Sequence, residues 1–207
     1  EKFPERTFDV GIAEEHAVTF AAGLAAEEMI PVVAVYSSFL QRAYDQILHD
    51  VCMQNLHVIF AIDRSGLVGA DGETHQGIFD TAFLSHIPNL VIMAPKNRYE
   101  LTRAMEWAVA YDGPVAIKYA RGQAYYGLKD YNEPVEYGKS EILREGSEIA
   151  LVAVGNMVEE TEKLYNRFLQ EGRQVTFVNA RFIKPLDKAM IDHLAESHKL
   201  IVTIEEG

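Results

Sequence analysis

Cysteine is almost absent from this chain: among 207 residues there is one, Cys52. A single thiol excludes an internal disulfide and suits a reducing cytosol, so the cytoplasm is the expected compartment. Cys52 lies in the helical stretch Leu48–Met53, where a buried structural thiol fits better than a nucleophile. Positive charge is scarce too. Lys and Arg number 19 against 31 Asp and Glu, a net charge of −12, which disfavours nonspecific nucleic-acid or anionic-membrane binding. An anionic substrate would need local cations, and Arg42, Arg64, His75 and Arg121 are the candidates. No apolar run approaches the roughly 18 residues of a membrane span. Low-complexity segments and internal repeats are missing, and so is any Gly-Asp-Gly. The glycines at 66, 69, 72 and 77 do not form the dinucleotide fingerprint, which argues against a dinucleotide-binding domain.

What is present is a packable core, with 48% apolar residues, and an alternation of apolar and amphipathic stretches. Strands are expected over Val32–Tyr36, Val58–Ile62, Leu90–Met93 and Val115–Tyr119. A helix over Phe39–Met53 places Leu40, Ala43, Ile47 and Val51 on one face. A second, Arg98–Ala110, has Asn97 as its N-cap and Glu100 completing a capping-box-like pair. This βαβ rhythm predicts an α/β fold, a mostly parallel sheet with helices on both faces. The turn-rich segment from Gly122 to Gly146 interrupts it. A second, smaller run follows, with strands at Ile149–Val154, Val175–Val178 and Leu200–Ile204. Its helices are expected at Val158–Glu171, stopped by Gly172, and from an Asp187 cap to about His198. The division expected is 1–124, a connection over 125–146, and an incomplete α/β unit over 147–207. The chain opens on Glu1 rather than Met and closes on Ile204-Glu-Glu-Gly207 just after a strand-like run, so both ends are expected to cut a longer protein.

Three blocks carry chemistry. In Phe8-Asp-Val-Gly-Ile-Ala-Glu-Glu-His-Ala-Val-Thr-Phe-Ala-Ala-Gly23, the acids Glu14 and Glu15 and the imidazole His16 stand at the positive end of a helix whose small residues allow close packing. A carboxylate there is either a solvated helix-start acid or one buried against a ligand, able to exchange a proton near neutral pH. Tyr36-Ser-Ser-Phe-Leu-Gln-Arg-Ala-Tyr-Asp-Gln-Ile-Leu-His-Asp50 follows, and then Ala61-Ile-Asp-Arg-Ser-Gly-Leu-Val-Gly-Ala-Asp-Gly-Glu-Thr-His-Gln-Gly77. Asp71, Glu73 and His75 alternate in the third block, but a hard cation usually takes more oxygen ligands than these provide, so no metal site is assigned.

In that order the blocks resemble the pyrimidine-binding domain of transketolase-like thiamine-diphosphate enzymes. The resemblance runs along essentially the whole chain. Within the superfamily, the second and third blocks resemble the branch that condenses pyruvate, with decarboxylation, with glyceraldehyde 3-phosphate. It implies that Glu14 shares a proton with the cofactor's pyrimidine nitrogen and that Phe39 stacks on the aminopyrimidine, a role weighed against that of an ordinary core aromatic. It implies that His75 polarises a substrate carbonyl, and that Tyr36, Arg42, Arg64, Asp71 and Arg121 line the substrate, Arg121 receiving a phosphate. Arg42 is equally readable as a partner of Asp45 or Asp50, and Arg121 as a solvated strand-end arginine. His16 is a candidate orienter of an acid, His49 has no role, and Arg181-Phe-Ile-Lys-Pro-Leu-Asp187 looks architectural. Mg²⁺ and the cofactor diphosphate are expected on an amino-terminal domain outside this chain, leaving these 207 residues inactive alone, and a homodimer is expected. Another transketolase-like enzyme, such as transketolase or a 2-oxoacid dehydrogenase beta subunit, and a noncatalytic partner-binding module stay open as alternatives.

Overall fold

The computed structural model describes residues 2–207. The first helix, α1 (Glu14–Ala26), leads into strand β1 (Val32–Tyr36) and then the short helix α2 (Ser37–Leu40). After it come α3 (Tyr44–Gln46), β2 (Ile59–Asp63), α4 (Asp80–Leu84), β3 (Val91–Met93), α5 (Arg98–Ala110) and β4 (Val115–Lys118). The remainder is β5 (Glu141–Arg144), β6 (Glu148–Ala153), α6 (Met157–Gln170), β7 (Val175–Asn179), β8 (Phe182–Lys184), α7 (Lys188–Ser197) and β9 (His198–Ile204).

These strands form two sheets. The first has the order β1-β2-β4-β3-β8, parallel except for β8, which runs antiparallel to β3. The second has the order β5-β7-β6-β9, parallel except for β5. The expected mostly parallel α/β architecture is what the chain adopts. The central strands read as unbroken apolar runs because both faces are covered: Ile59, Phe60, Ala61 and Ile62 of β2 and all four residues of β4 are buried. The two-residue period then sorts side chains between layers. Phe60 and Ile62 pack with Val18, Ala22, Leu40 and Ile47, whereas Ile59 packs on the other face with Met93, Ala104 and Ala108.

Three features depart from the sequence reading. The helix expected over Phe39–Met53 is broken into α2, a 3₁₀ turn (Gln41–Ala43), α3 and a π-helical turn (Ile47–Cys52). Its core side is nonetheless intact, with Leu40, Ala43, Ile47 and Val51 all at 0% exposure. Within the segment read as a connection, Glu141–Arg144 forms β5 against β7. The stretch read as architectural supplies β8, whose Phe182 and Lys184 pair with Met93 and Ile92 of the first sheet. Asn97 caps α5 as expected, accepting from the Glu100 amide at 2.8 Å. The Glu100 side chain does not return to Asn97, however. It accepts from the Lys96 amide at 2.6 Å and joins a buried cluster with Lys96, Glu141, Asn179 and Arg181. Cys52 is fully buried, and burial pushes its thiol up to about 12.

Candidate active site

In open α/β sheets ligands settle outside the carboxyl ends of the strands, and here the sequence-predicted residues gather there. Tyr36 ends β1, Arg64 directly follows β2, and Arg121 lies three residues past β4. Glu14 opens α1 with only 7% exposure, while its neighbours Glu15 and His16 are exposed. His16 stacks on Phe20 rather than orienting an acid (ring centroids 6.0 Å apart). His49, exposed, pairs with Asp45.

A continuous path of contacts joins all eight assigned side chains. The Arg42 guanidinium donates to Glu14 Oε1 at 3.0 Å and lies 5.2 Å from the centre of the Phe39 ring. Arg42 therefore pairs with neither Asp45 nor Asp50. Phe39 stacks on Tyr36 (5.3 Å, 29°) and meets His75 edge-on (5.2 Å, 62°). Arg64 lies 3.8 Å over the Tyr36 ring, a short cation–π contact. Asp71 then binds two guanidiniums, Arg64 Nε at 2.8 Å and Arg121 Nε at 2.9 Å. Partial burial works against the charge on Arg64, but Asp71 and Asp63 outweigh it and hold the guanidinium above its ordinary range. Arg121 is anchored by this bridge, yet 44% of its side chain stays exposed, available to an anion.

The loop carrying Asp71 and His75 is built to hold its shape. Gly66 and Gly77 close its base by exchanging two backbone hydrogen bonds of 2.8 Å. A Cβ at Gly77 would stand 2.2 Å from the Arg64 carbonyl and 2.7 Å from Ser37 Oγ, so only glycine fits. Inside the loop, Gln76 accepts from the Val68 amide at 2.8 Å and donates to the Gly72 carbonyl at 2.6 Å. Among the described residues no cluster of three or more His, Cys, Asp or Glu side chains is arranged to hold a metal, and no helix is long and apolar enough to cross a membrane.

Two hollows adjoin the path. One, about 320 Å³, is lined by Glu14, Tyr36 and Phe39 with the Val10–Ala13 turn and the apolar edge of β1. The other, about 630 Å³, is bordered by Arg64, Lys118 and Arg121 and by Asn156 and Glu206 from the second half of the chain. An acid beside an aromatic in the smaller hollow, with cations toward the larger, suits a flat, protonatable heterocycle and an anionic co-substrate. Four buried groups near the path were given no role by the sequence reading: Ser37, Ser65, Asp80 and Lys118, of which Ser65 and Lys118 border the larger hollow.

Known proteins resemble this chain over nearly its whole length. The family model of the transketolase pyrimidine-binding domain matches residues 1–125, and that of the transketolase C-terminal domain matches residues 138–207. The chain is 57% identical over 205 residues to the 1-deoxy-D-xylulose-5-phosphate synthase of Lachnoclostridium phytofermentans, covering 99% of this chain and 33% of that protein. It is 54% identical over 207 residues to the synthase of the same name from Natranaerobius thermophilus, again covering 33% of it. The chain thus spans about a third of the length of the curated relatives it matches. Among solved structures it resembles a chain described as "Split gene transketolase, inactive beta4 tetramer", with a TM-score of 0.90 and 28% identity over 99% of this chain and 66% of that one.

Proposed function

This chain belongs to the transketolase family, and from that premise we propose that it forms the aminopyrimidine half of a thiamine-diphosphate site. The enzyme it serves decarboxylates pyruvate and transfers the two-carbon unit to glyceraldehyde 3-phosphate, giving 1-deoxy-D-xylulose 5-phosphate. One observation carries the reading: the unbroken contact path from the buried Glu14 through Arg42, Phe39, Tyr36, Arg64 and Asp71 to Arg121, with His75 set against Phe39 at its side. The names and identities of the relatives support the choice of substrates.

The residues present fit the cofactor. Bound here, thiamine diphosphate supplies the carbon nucleophile and the electron sink. Glu14, itself 7% exposed, is the acid set to share a proton with the pyrimidine nitrogen. Phe39 offers its ring to the aminopyrimidine, a contact of about 1 kcal/mol beyond area burial. His75 donates a hydrogen bond to a carbonyl oxygen that gains charge. Arg64 and Arg121 supply the cations that a chain of net charge −12 needs near an anionic substrate, Arg121 facing the phosphate. Tyr36, Arg42 and Asp71 complete the substrate wall.

Mg²⁺ and the diphosphate are assigned to a domain outside this chain, because no Gly-Asp-Gly occurs in it. The enzyme is proposed to be a cytoplasmic homodimer, and these 207 residues alone are proposed not to turn over. The likeness to a split-gene transketolase chain described as inactive supports that last point. In the full-length enzyme, Glu14→Gln should lower kcat/KM about a hundredfold to ten-thousandfold, read as 1-deoxy-D-xylulose 5-phosphate formed from pyruvate and glyceraldehyde 3-phosphate. A wild-type enzyme that makes none of this product, or a Glu14→Gln variant with undiminished turnover, sinks the proposal. Two-carbon transfer from a ketose phosphate in place of pyruvate would favour a transketolase.

A further inference from the structure

Asp80 takes no part in the contact path, yet it is the most deeply buried acid near it, at 0% exposure. Its Oδ2 accepts from Ser37 Oγ at 2.9 Å and from Ser65 Oγ at 2.6 Å. Its Oδ1 accepts from Lys118 Nζ at 2.6 Å and from the Thr81 amide at 2.6 Å, and Lys118 also donates to Thr81 Oγ1 at 2.6 Å. These donors have telling addresses. Ser37 directly follows Tyr36 at the end of β1, Ser65 directly follows Arg64 beyond β2, and Lys118 is the last residue of β4. One carboxylate thereby holds the carboxyl ends of three neighbouring parallel strands.

We propose that Asp80 is a positioning residue, setting Tyr36 and Arg64 at the separation the site needs and seating the Gly66–Gly77 loop upon them. The inference rests on the reading given under Proposed function. Two observations argue for placement beyond mere charge burial. Arg64 sits at φ +60°, a left-handed conformation rare for a side-chain-bearing residue, and Ser65 beside it is pinned to Asp80. Moreover, the Arg64 carbonyl and the Ser37 side chain are the groups against which Gly77 fits without room for a Cβ. A shift of either serine would therefore unseat the loop that presents Asp71 and His75. A charge-assisted hydrogen bond is short and directional, which suits a part whose task is to fix spacing.

Charge balance and positioning separate by mutation in the full-length enzyme. Asp80→Asn alone leaves the Lys118 ammonium buried without a counter-charge and should lower the melting temperature. Asp80→Asn combined with Lys118→Met removes both charges and should recover most of that loss. Its kcat/KM should nevertheless stay at least tenfold below wild type, with KM for glyceraldehyde 3-phosphate raised. Thiamine-diphosphate affinity by calorimetry should fall by less than the rise in KM, because Phe39 shares a helix with Ser37 but Glu14 is not tied to Asp80. Ser37→Ala with Ser65→Ala keeps the ion pair and should reproduce the raised KM. Wild-type kcat/KM in both double variants overturns the inference while leaving the functional reading intact, as does a loss of cofactor affinity in proportion to the rise in KM. An inactive wild-type enzyme overturns the functional reading itself.

Discussion

Replacing Glu100 by Gln tests the buried cluster between the two sheets. Lys96, Glu100, Glu141 and Arg181 are 0 to 7% exposed and carry two positive and two negative charges. Glu100 Oε1 accepts from Arg181 Nε at 2.7 Å and Asn179 Nδ2 at 2.9 Å, and Oε2 accepts from the Lys96 amide at 2.6 Å. Glutamine keeps the volume but turns one acceptor into a donor facing other donors, and leaves two cations against one carboxylate. Unpairing a buried charge in this way costs about 3–5 kcal/mol, against a total stability of about 5–15 kcal/mol. With an m-value of about 2 kcal/mol/M, a loss of about 4 kcal/mol moves the urea midpoint by about 2 M. Adding Lys96→Met leaves Arg181 beside Glu141, Nη2 to Oε1 at 3.5 Å, one charge of each sign. The double variant should regain more than half of the lost stability. The sign with pH follows from the same contacts. Burial would raise the Glu100 carboxyl, but Lys96 and Arg181 outweigh it and hold it below its ordinary 4.5. Its contribution is therefore fully present above 4.5 and fades as pH falls through the lower folded value, and Glu100→Gln should lack this component of acid sensitivity. A Glu100→Gln midpoint within 0.3 M of wild type, about 0.6 kcal/mol at that m-value, would refute the reasoning.

Three further outcomes are expected. Gly77→Ala should lose about 1–3 kcal/mol, seen as a lower melting temperature, because the added methyl meets the Arg64 carbonyl; an unchanged melting temperature would show that the loop base yields freely. Phe39→Ala in the full-length enzyme should weaken thiamine-diphosphate binding about fivefold or more, the equivalent of about 1 kcal/mol, measured by calorimetry; equal affinity would remove the ring from the cofactor's surroundings. Cys52 should resist a thiol reagent at pH 8 in the folded chain and react at once in denaturant, since burial holds its thiol near 12; rapid labelling of native protein would contradict the packing.

Much of the fold was legible because the informative signals were local. Helix α5 was expected over Arg98–Ala110 and runs over those residues, as its Asn97 cap and its period lie within one segment. Strand β1 was likewise read at its observed limits. What escaped the sequence depends on distant partners. Strand β5 alternates buried and half-buried residues, but that pattern acquires meaning only beside β7, more than thirty residues on. Strand β8 has three residues, and its mate β3 lies about ninety residues earlier. The break after Leu40 was hidden for another reason. The apolar spacing at 40, 43, 47 and 51 suits a continuous helix and equally suits the mixed α, 3₁₀ and π turns that keep the same face inward. In the site, the motifs named the side chains, while the Asp71 bridge between Arg64 and Arg121 and the role of Asp80 became visible only with the strands in place. Asp80 reads locally as a polar residue at a helix start; its burial follows from Lys118, 38 residues away.

Strand β8 has one more implication, for anyone dividing this chain. It crosses from the later half to finish the earlier half's sheet, as the tongue of a buckle passes through its frame. Expressing residues 1–125 alone would leave the backbone of Val91–Met93 bare along one side, a row of unmet donors and acceptors that invites a neighbouring chain to pair. Such a piece should gather into aggregates for want of three residues, and supplying a peptide that spans Phe182–Lys184 is the remedy the topology recommends.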